Sequence, residues 1–256
     1  MGKIICISNQ KGGVGKTTTT NALAMGLKHK GYSVLCVDFD PQGNLSFSLR
    51  ADARLELQSS VYYVLKGELK TGQAIQHTEL ANIIPSNILL SGIELEFTGQ
   101  GREFLLRDAL RPIERLYDYI LIDTPPALGI LTVNAFAAAD ILLMPVLSDL
   151  FSLQGIVQLH ETVERVRAAT NPNLSVGGIL LTRFNPREQV SSVIRETASD
   201  MAQTFGIPLL ETSIRTGVAL TKAQILRQDI IAYEPKSKAV QDYQRLVDEL
   251  LGKKVL

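Results

Sequence analysis

The chain has 256 residues, enough to bury a sizeable core in one large domain. Its 26 Lys and Arg balance 26 Asp and Glu, which excludes a chain-wide positive charge, so any nucleic-acid-binding surface must be local. No linker, repeat or low-complexity run divides the sequence, no apolar run has the length of a membrane span, and "MGKIICIS" is too short for a signal peptide, so we expect one cytoplasmic domain over residues 1–256.

Short apolar runs rich in β-branched residues recur along the chain, separated by longer stretches with helical periodicity. They are "KIICISN", "SVLCVDF", "NIIPS", "YDYILIDTP", "DILLMPVL", "VGGILLTRF" and "IPLLETSI". Continuous hydrophobicity is typical of strands buried on both faces. We therefore predict an α/β fold, a mostly parallel doubly wound sheet with helices on both faces, in which Cys6 and Cys36 are buried core thiols.

The loop after the first run reads "NQKGGVGKTTTTN". Its glycines, Gly12, Gly13 and Gly15, let successive backbone N–H groups point at one anion. A helix is predicted from about Lys16 to a glycine stop at Gly31, and its N-terminus adds partial positive charge at the same place. This pattern indicates a P-loop for a nucleoside triphosphate.

Three side chains that follow the glycines suit the phosphates and their cation. Lys16 can reach the β- and γ-phosphates, Thr17 can ligate Mg²⁺, and Thr18 can donate to an inner phosphate. A Mg²⁺–nucleotide site also needs a carboxylate at the end of a neighbouring strand, and "YDYILIDTPP" supplies Asp123. We predict that Thr17 and Asp123 hold the metal.

A second acidic strand end reads "VDFDPQGN". We expect Asp38 and Asp40 to project to opposite faces if the strand continues to Asp40, so that one faces the phosphates while the other caps local structure. Asp40 is the better candidate to orient or deprotonate an attacking water. The alternative is a simple Asp-Pro turn that ends the strand.

The motifs "KGGVGKT", "VDFDPQGN" and "ILIDTPP", in this order and at this spacing, closely resemble those of deviant P-loop ATPases of the ParA/Soj type and their relative MinD. The resemblance implies that Lys11 is a signature lysine, which reaches across an ATP-bound homodimer to the phosphates held by the partner. The physical argument agrees, because Lys16 already serves the phosphates in cis and a second, unpaired ammonium suits charge on a neighbour's nucleotide.

These inferences define the candidate site. The predicted catalytic residues are Lys11, Lys16 and Asp40. The predicted nucleotide-binding residues are Lys11, Gly12, Gly13, Val14, Gly15, Lys16, Thr17 and Thr18.

The resemblance also implies a function. Such a protein binds DNA without sequence preference, associates with the nucleoid, and positions a plasmid or chromosome, with hydrolysis stimulated by a ParB-like partner. The candidate DNA contacts are Arg215, Lys222 and Arg227. The segment "IRTGVALTKAQ" departs from the family pattern Pro-Arg-Asn-x-Arg-Leu-x-Glu-Ala-Pro, so the family pattern does not by itself define this DNA surface.

Two other functions remain open at this stage. One is a MinD-like positioning ATPase at the membrane, although the tail "YQRLVDELLGKKVL" has the pattern of a helix packed on the core and not of a basic membrane anchor. The other is a small-molecule ligase or kinase on the same scaffold, since a fold does not determine a function.

Overall fold

The structure is a computed structural model that describes residues 2–256. Within these residues one sheet of seven strands has the order β3-β4-β2-β5-β1-β6-β7. The strands are β1 Lys3–Ile7, β2 Val34–Asp38, β3 Gln76–His77, β4 Asn82–Ile84, β5 Tyr119–Asp123, β6 Ile141–Leu147 and β7 Ser175–Thr182. All neighbouring pairs are parallel except β3 and β4, so the predicted fold class is confirmed.

Helices connect the strands and cover both faces of the sheet. They are α1 Lys16–His29, α2 Asn44–Ser48, α3 Val61–Leu65, α4 Thr71–Ala74, α5 Ile93–Glu96, α6 Leu105–Leu110, α7 Ile130–Ala138, α8 Leu150–Ala169, α9 Gln189–Phe205, α10 Val218–Ile225 and α11 Lys238–Gly252. Short 3₁₀ turns lie at Leu55–Leu57, Ile88–Gly92, Arg102–Phe104 and Glu114–Leu116.

Alternate residues of each central strand enter different cores. In β1, Ile4 and Cys6 pack in the core formed with α7, α8 and α9. Ile5 and Ile7 pack in the core formed with α1, α10 and α11. This two-sided burial explains why the strands read as continuous apolar runs. The predicted core thiols Cys6 and Cys36 are both buried and free.

The C-terminal helix α11 packs on α1, as the pattern of the tail predicts. Its buried face consists of Ala239, Val240, Asp242, Tyr243, Leu246, Val247 and Leu250. The contact is close, because a Cβ at Gly26 of α1 would lie 2.7 Å from Val247 Cγ2. Across residues 2–256, every helix is too short or too polar to span a membrane.

The predicted strand "IPLLETSI" does not form a regular strand. Its backbone makes only isolated parallel bridges, Ile179 with Leu209 and Thr182 with Ile214. Between them, the N–H groups of Glu211 and Thr212 donate to the Glu249 carboxylate of α11, each at 2.8 Å, in place of a neighbouring strand. Only Ile207, Leu210 and Ile214 of this run are buried, and a distant carboxylate takes the hydrogen bonds that a strand would need.

Candidate functional site

The carboxyl ends of the three central strands meet at one edge of the sheet. Asp123 is in register with Ile7 of β1 on one side and with Asp38 of β2 on the other. Ligands of doubly wound sheets bind at this edge, at the point where the strand order reverses. A cleft of about 640 Å³ opens there. The predicted nucleotide-site residues that line it are Gly12, Gly13, Val14, Gly15, Lys16, Thr17, Thr18 and Asp40, whereas the predicted metal ligand Asp123 is not among its lining residues.

The glycine loop has the backbone geometry of an anion cradle. Gly13 and Gly15 have φ values of 73° and 90°, in the left-handed region that favours glycine. Gly15 is the N-cap of α1, and its carbonyl accepts the N–H of Thr19 at 2.8 Å. The first amides of α1 therefore lie at the cleft with no side-chain cap, which suits an anionic ligand.

Lys16 is almost buried, with 7% of its surface exposed. Its Nζ donates to the Lys11 carbonyl at 3.3 Å. Burial lowers the pKa of Lys16, while the nearby Asp123 and Asp40 carboxylates oppose that shift. A buried ammonium at a cleft is stabilised when an anion binds beside it, so Lys16 fits a phosphate-binding role.

Asp123 is fully buried, and one of its oxygens lacks a partner. Oδ1 accepts a long bond from Thr20 Oγ1 at 3.4 Å, whereas Oδ2 has no hydrogen-bond partner among residues 2–256. Burial, and then the neighbouring Asp38, raise the pKa of Asp123 well above its usual range. A buried orphan carboxylate oxygen is costly unless a donor or cation reaches it.

These groups fit a magnesium ion that is held mainly by water and phosphate. The described part of the chain has no group of three or more His, Cys, Asp or Glu side chains that could hold a metal alone. Mg²⁺ usually takes one or two protein oxygens beside waters and substrate phosphates. Thr17 and the orphan oxygen of Asp123 would provide that donor set.

Asp38 and Asp40 have different surroundings, although the reason differs from the prediction. The expectation that they project to opposite faces of a longer strand is wrong, because residues two apart in a strand share a face and because β2 ends at Asp38. Asp38 is fully buried and accepts Ser46 N and Oγ at 2.7 and 2.6 Å, and burial raises its pKa to about 6. Asp40 lines the cleft and accepts Gln42 N at 3.0 Å. Asp38 therefore fixes α2, and Asp40 faces the ligand side.

Lys11 lies outside the set of described residues that line the cleft. Its Nζ contacts the two carboxylate oxygens of Asp149 at 3.1 and 3.2 Å and donates to Ser152 Oγ at 2.8 Å. The expectation that Lys11 has no counter-ion in its own chain is therefore wrong. The sequence did not reveal this pair, because Asp149 is 138 residues away.

Asp149 also caps α8, by accepting the N–H of Ser152 at 2.8 Å. Burial alone would raise the pKa of Asp149, but the bonds from Ser152 and Lys11 outweigh it and lower that pKa. The Lys11 and Asp149 side chains remain 40% and 38% exposed, so water screens their attraction. Such a pair contributes at most about 1 kcal/mol, and Lys11 can leave it at small cost.

The three predicted DNA contacts differ in how accessible their side chains are. Arg215 lines the cleft and makes a bidentate ion pair with Asp242, which is 1% exposed. Arg227 is half-buried and donates to the Phe47 carbonyl at 2.9 Å. Lys222 is exposed on α10. Arg215 and Arg227 therefore make contacts within the chain, and Lys222 is the most accessible candidate for a phosphate backbone.

Sequence reasoning missed the contribution of α11 to the cleft. Tyr243 is buried, lines the cleft, and shares a 3.0 Å hydrogen bond with Thr19 of α1. Its neighbour Asp242 holds Arg215. The only sign of this role in the sequence is Asp242, a charged residue on the otherwise apolar face of α11.

Comparisons with known proteins show the family of the chain. A family model described as "AAA domain" matches residues 2–176. The chain is 39% identical over 254 residues to "Chromosome partitioning protein ParA" of Myxococcus xanthus, covering 98% of this chain and 88% of that protein. It is 38% identical over 253 residues to "Sporulation initiation inhibitor protein Soj" of Bacillus subtilis, covering 98% of each.

A solved structure is similar along almost its whole length. It is described as cobyrinic acid a,c-diamide synthase from Mycobacterium smegmatis with bound ATP analog and magnesium. The TM-score is 0.85 with 33% sequence identity, and the match covers 98% of this chain and 95% of that one.

Proposed function

The chain belongs to the ParA/MinD family of P-loop ATPases, and on that premise we propose that it is an ATP-dependent dimerising ATPase that positions DNA cargo. The observation that carries the proposal is the grouping of three charged side chains at and below the cleft. Lys16 and Asp40 line the cleft, and the buried Asp123, whose Oδ2 has no partner among residues 2–256, lies close enough to Lys16 to act on its pKa. Together they suit a triphosphate, its cation and an attacking water.

ATP and Mg²⁺ are the proposed substrate and cofactor. Bound Mg²⁺ supplies positive charge that neutralises the phosphate oxygens. In this chain the amides of the glycine loop and Lys16 hold the phosphates, and Thr17 and Asp123 hold the cation. Asp40 accepts a hydrogen bond from the water and orients it toward the terminal phosphate.

Lys11 is proposed to act in trans. In the ATP-bound dimer it leaves Asp149 and donates to phosphate oxygens on the partner, which adds positive charge where negative charge develops. The exchange is favourable because an exposed ion pair is replaced by a charge-assisted bond in a more enclosed site. ATP thereby links the two subunits, and hydrolysis lets them separate.

The wider role follows from the relatives named ParA and Soj. We propose a cytoplasmic, nucleoid-associated protein whose dimer binds DNA without sequence preference, with Lys222 among its contacts. A ParB-like partner on a plasmid or chromosome stimulates hydrolysis. The population of DNA-bound dimers then depends on where that partner lies.

A second function has one observation in its favour. The similar solved structure bears the name of an amide-forming synthase, so a P-loop ligase acting on a small molecule is the alternative. Two curated relatives at 38–39% identity bear the name chromosome partitioning protein ParA, which favours the first proposal.

Co-sedimentation separates these functions. The protein is mixed with nonspecific DNA or with anionic liposomes, each with ATP, with ADP and without nucleotide. The proposal predicts that it pellets with DNA only in the presence of ATP and stays in the supernatant with liposomes. Pelleting with liposomes would favour a MinD-like protein, and no pelleting in either mixture would favour the ligase.

A further inference from the structure

Two arginines end two short helices in the same unusual conformation. Arg50 follows α2 with φ 63°, and Arg227 follows α10 with φ 53°. This left-handed region favours glycine, and a residue with a Cβ is strained there. Strain of this kind persists when the surrounding contacts hold it, so the contacts of both side chains are informative.

The two side chains cap each other's helices. Arg50 Nε donates to the Arg227 carbonyl at 2.7 Å, and Arg227 Nε donates to the Phe47 carbonyl in the last turn of α2 at 2.9 Å. The Arg227 guanidinium also lies 5.2 Å from the centre of the Phe47 ring. Arg50 therefore satisfies the Arg227 carbonyl, and Arg227 adds a side-chain donor to the Phe47 carbonyl, which also accepts the backbone N–H of Arg50 at 3.2 Å.

The first turn of α2 is hydrogen-bonded to Asp38 and to the loop that carries Asp40. Ser46 donates twice to Asp38, and Gly43 N donates to the Asp40 carbonyl at 3.0 Å. Because α2 has only five residues, a displacement of its end is passed to its start. The contact between the arginines therefore acts on the loop that carries Asp40.

The other partner, α10, is attached to the phosphate loop. Gln224 of α10 accepts a hydrogen bond from Thr18 Oγ1 at 3.2 Å. Its N-cap residue, Gly217, lines the cleft. A Cβ at Gly217 would lie 2.5 Å from Ala239 Cβ, so the start of α10 is packed tightly against α11. One end of the arginine contact is thus fixed to a rigid part of the nucleotide site.

We propose that Arg50 and Arg227 are positioning residues that hold the Asp40 loop at a fixed distance from the phosphate loop through α2 and α10. We call this reciprocal contact the arginine clamp. The inference rests on the proposed ATP hydrolysis for its effect on rate, but not for its structural part. It also gives Arg227 a role other than DNA contact.

The test uses Arg50→Gly and Arg227→Gly, singly and together. Glycine keeps the left-handed backbone and removes the side chain, so the fold is not strained by the change. Arg50→Asn and Arg227→Asn, which also tolerate this conformation, form a second set. Gln58→Gly is the matched control, since Gln58 is exposed with φ 46° and belongs to neither helix.

Hydrogen exchange tests the clamp without any ATP turnover. Each single variant should speed amide exchange several-fold in both α2 and the end of α10, because losing either side chain frees both helix ends. Gln58→Gly should match the parent in both segments. Faster exchange only around the substituted residue would overturn the reciprocal contact.

Turnover tests the positioning role. Each single variant should lower the ATPase rate by about tenfold while ADP affinity stays within about twofold, since a small misplacement is costly to catalysis and the phosphate loop is unchanged. The double variant should lower the ATPase rate no more than either single variant does. A parental rate in the single variants would overturn the proposal. If the parent itself fails to hydrolyse ATP, the proposed function fails, and the exchange result still decides whether the clamp exists.

Discussion

Two regions beside the cleft use charge in different ways. The inner site, formed by Lys16, Asp38, Asp40 and Asp123, is buried. The outer rim, formed by Lys11, Asp149 and Lys222, is partly or fully exposed. Buried charges interact strongly and tolerate no loss of a partner, whereas exposed charges are screened and exchange partners at little cost. The inner site is therefore suited to chemistry within one chain, and the outer rim to contacts that change.

The largest effect is expected from the inner site. Lys16→Ala should weaken ATP binding by at least about a hundredfold, because the phosphates lose their main buried counter-ion. Calorimetric titration measures this, with Lys30→Ala as the control, since Lys30 pairs with Asp248 on the surface. Parental ATP affinity in Lys16→Ala would remove the contrast between the two regions.

Asp40→Ala, compared with Asp38→Asn, separates the roles of two carboxylates in the inner site. ATP binding and dimerisation should remain, while turnover falls by about a hundredfold, because the water loses its orienting carboxylate. Asp38→Asn is the comparison variant, and it should lower thermal stability, since Asp38 holds Ser46. If Asp40→Ala hydrolyses ATP at the parental rate, the water-positioning role belongs to another residue, and Asp38 is the next candidate.

On the outer rim, DNA binding should depend on ATP and on salt. Raising the salt from about 50 to 200 mM should weaken it steeply, and Lys222→Glu should weaken it about tenfold on every sequence. Fluorescence anisotropy with two unrelated duplexes measures both effects. Lys3→Glu is the control, since Lys3 is exposed at the amino end of β1, away from the cleft. DNA binding by the nucleotide-free monomer at the strength of the ATP-bound dimer would contradict the role of the rim.

The smallest effect concerns the ion pair of Lys11. Asp149→Asn should strengthen ATP-dependent dimerisation by up to about fivefold, because the competing charge is removed from an exposed pair. Asparagine is also a good N-cap, so α8 should keep its first turn. Analytical ultracentrifugation measures dimerisation, and circular dichroism checks the helix. Weaker dimerisation with an intact helix would mean that Asp149 supports the dimer instead of holding Lys11 back.

The sequence predicted the parts of the site that are contiguous or follow a strand. The glycine loop and Lys16 form one local motif, and Asp123 is marked by the apolar run before it. Pairs between distant residues were not predictable, because Lys11 with Asp149 and Arg50 with Arg227 are set by how the helices pack. It was also easier to predict that an apolar run is buried than to predict which element it packs against.

The proposal that Lys11 acts in trans makes the two regions depend on each other across a dimer. Lys11→Ala should keep ATP binding, because Lys16 and the loop amides remain, yet lose hydrolysis. Mixing it with Asp40→Ala creates one complete site in each mixed dimer, with Asp40 from one subunit and Lys11 from the other. That site needs both subunits, so its activity reports directly on the trans contact.

The decisive measurement is therefore the ATPase rate of an equal mixture of Lys11→Ala and Asp40→Ala proteins, with mixed dimers verified by crosslinking. The trans role predicts that two inactive variants regain a fraction of the parental rate on mixing. An in-cis role predicts none, since each subunit would then lack one of its own catalytic groups. Crosslinked mixed dimers without activity would contradict the assignment of Lys11 to the partner's nucleotide.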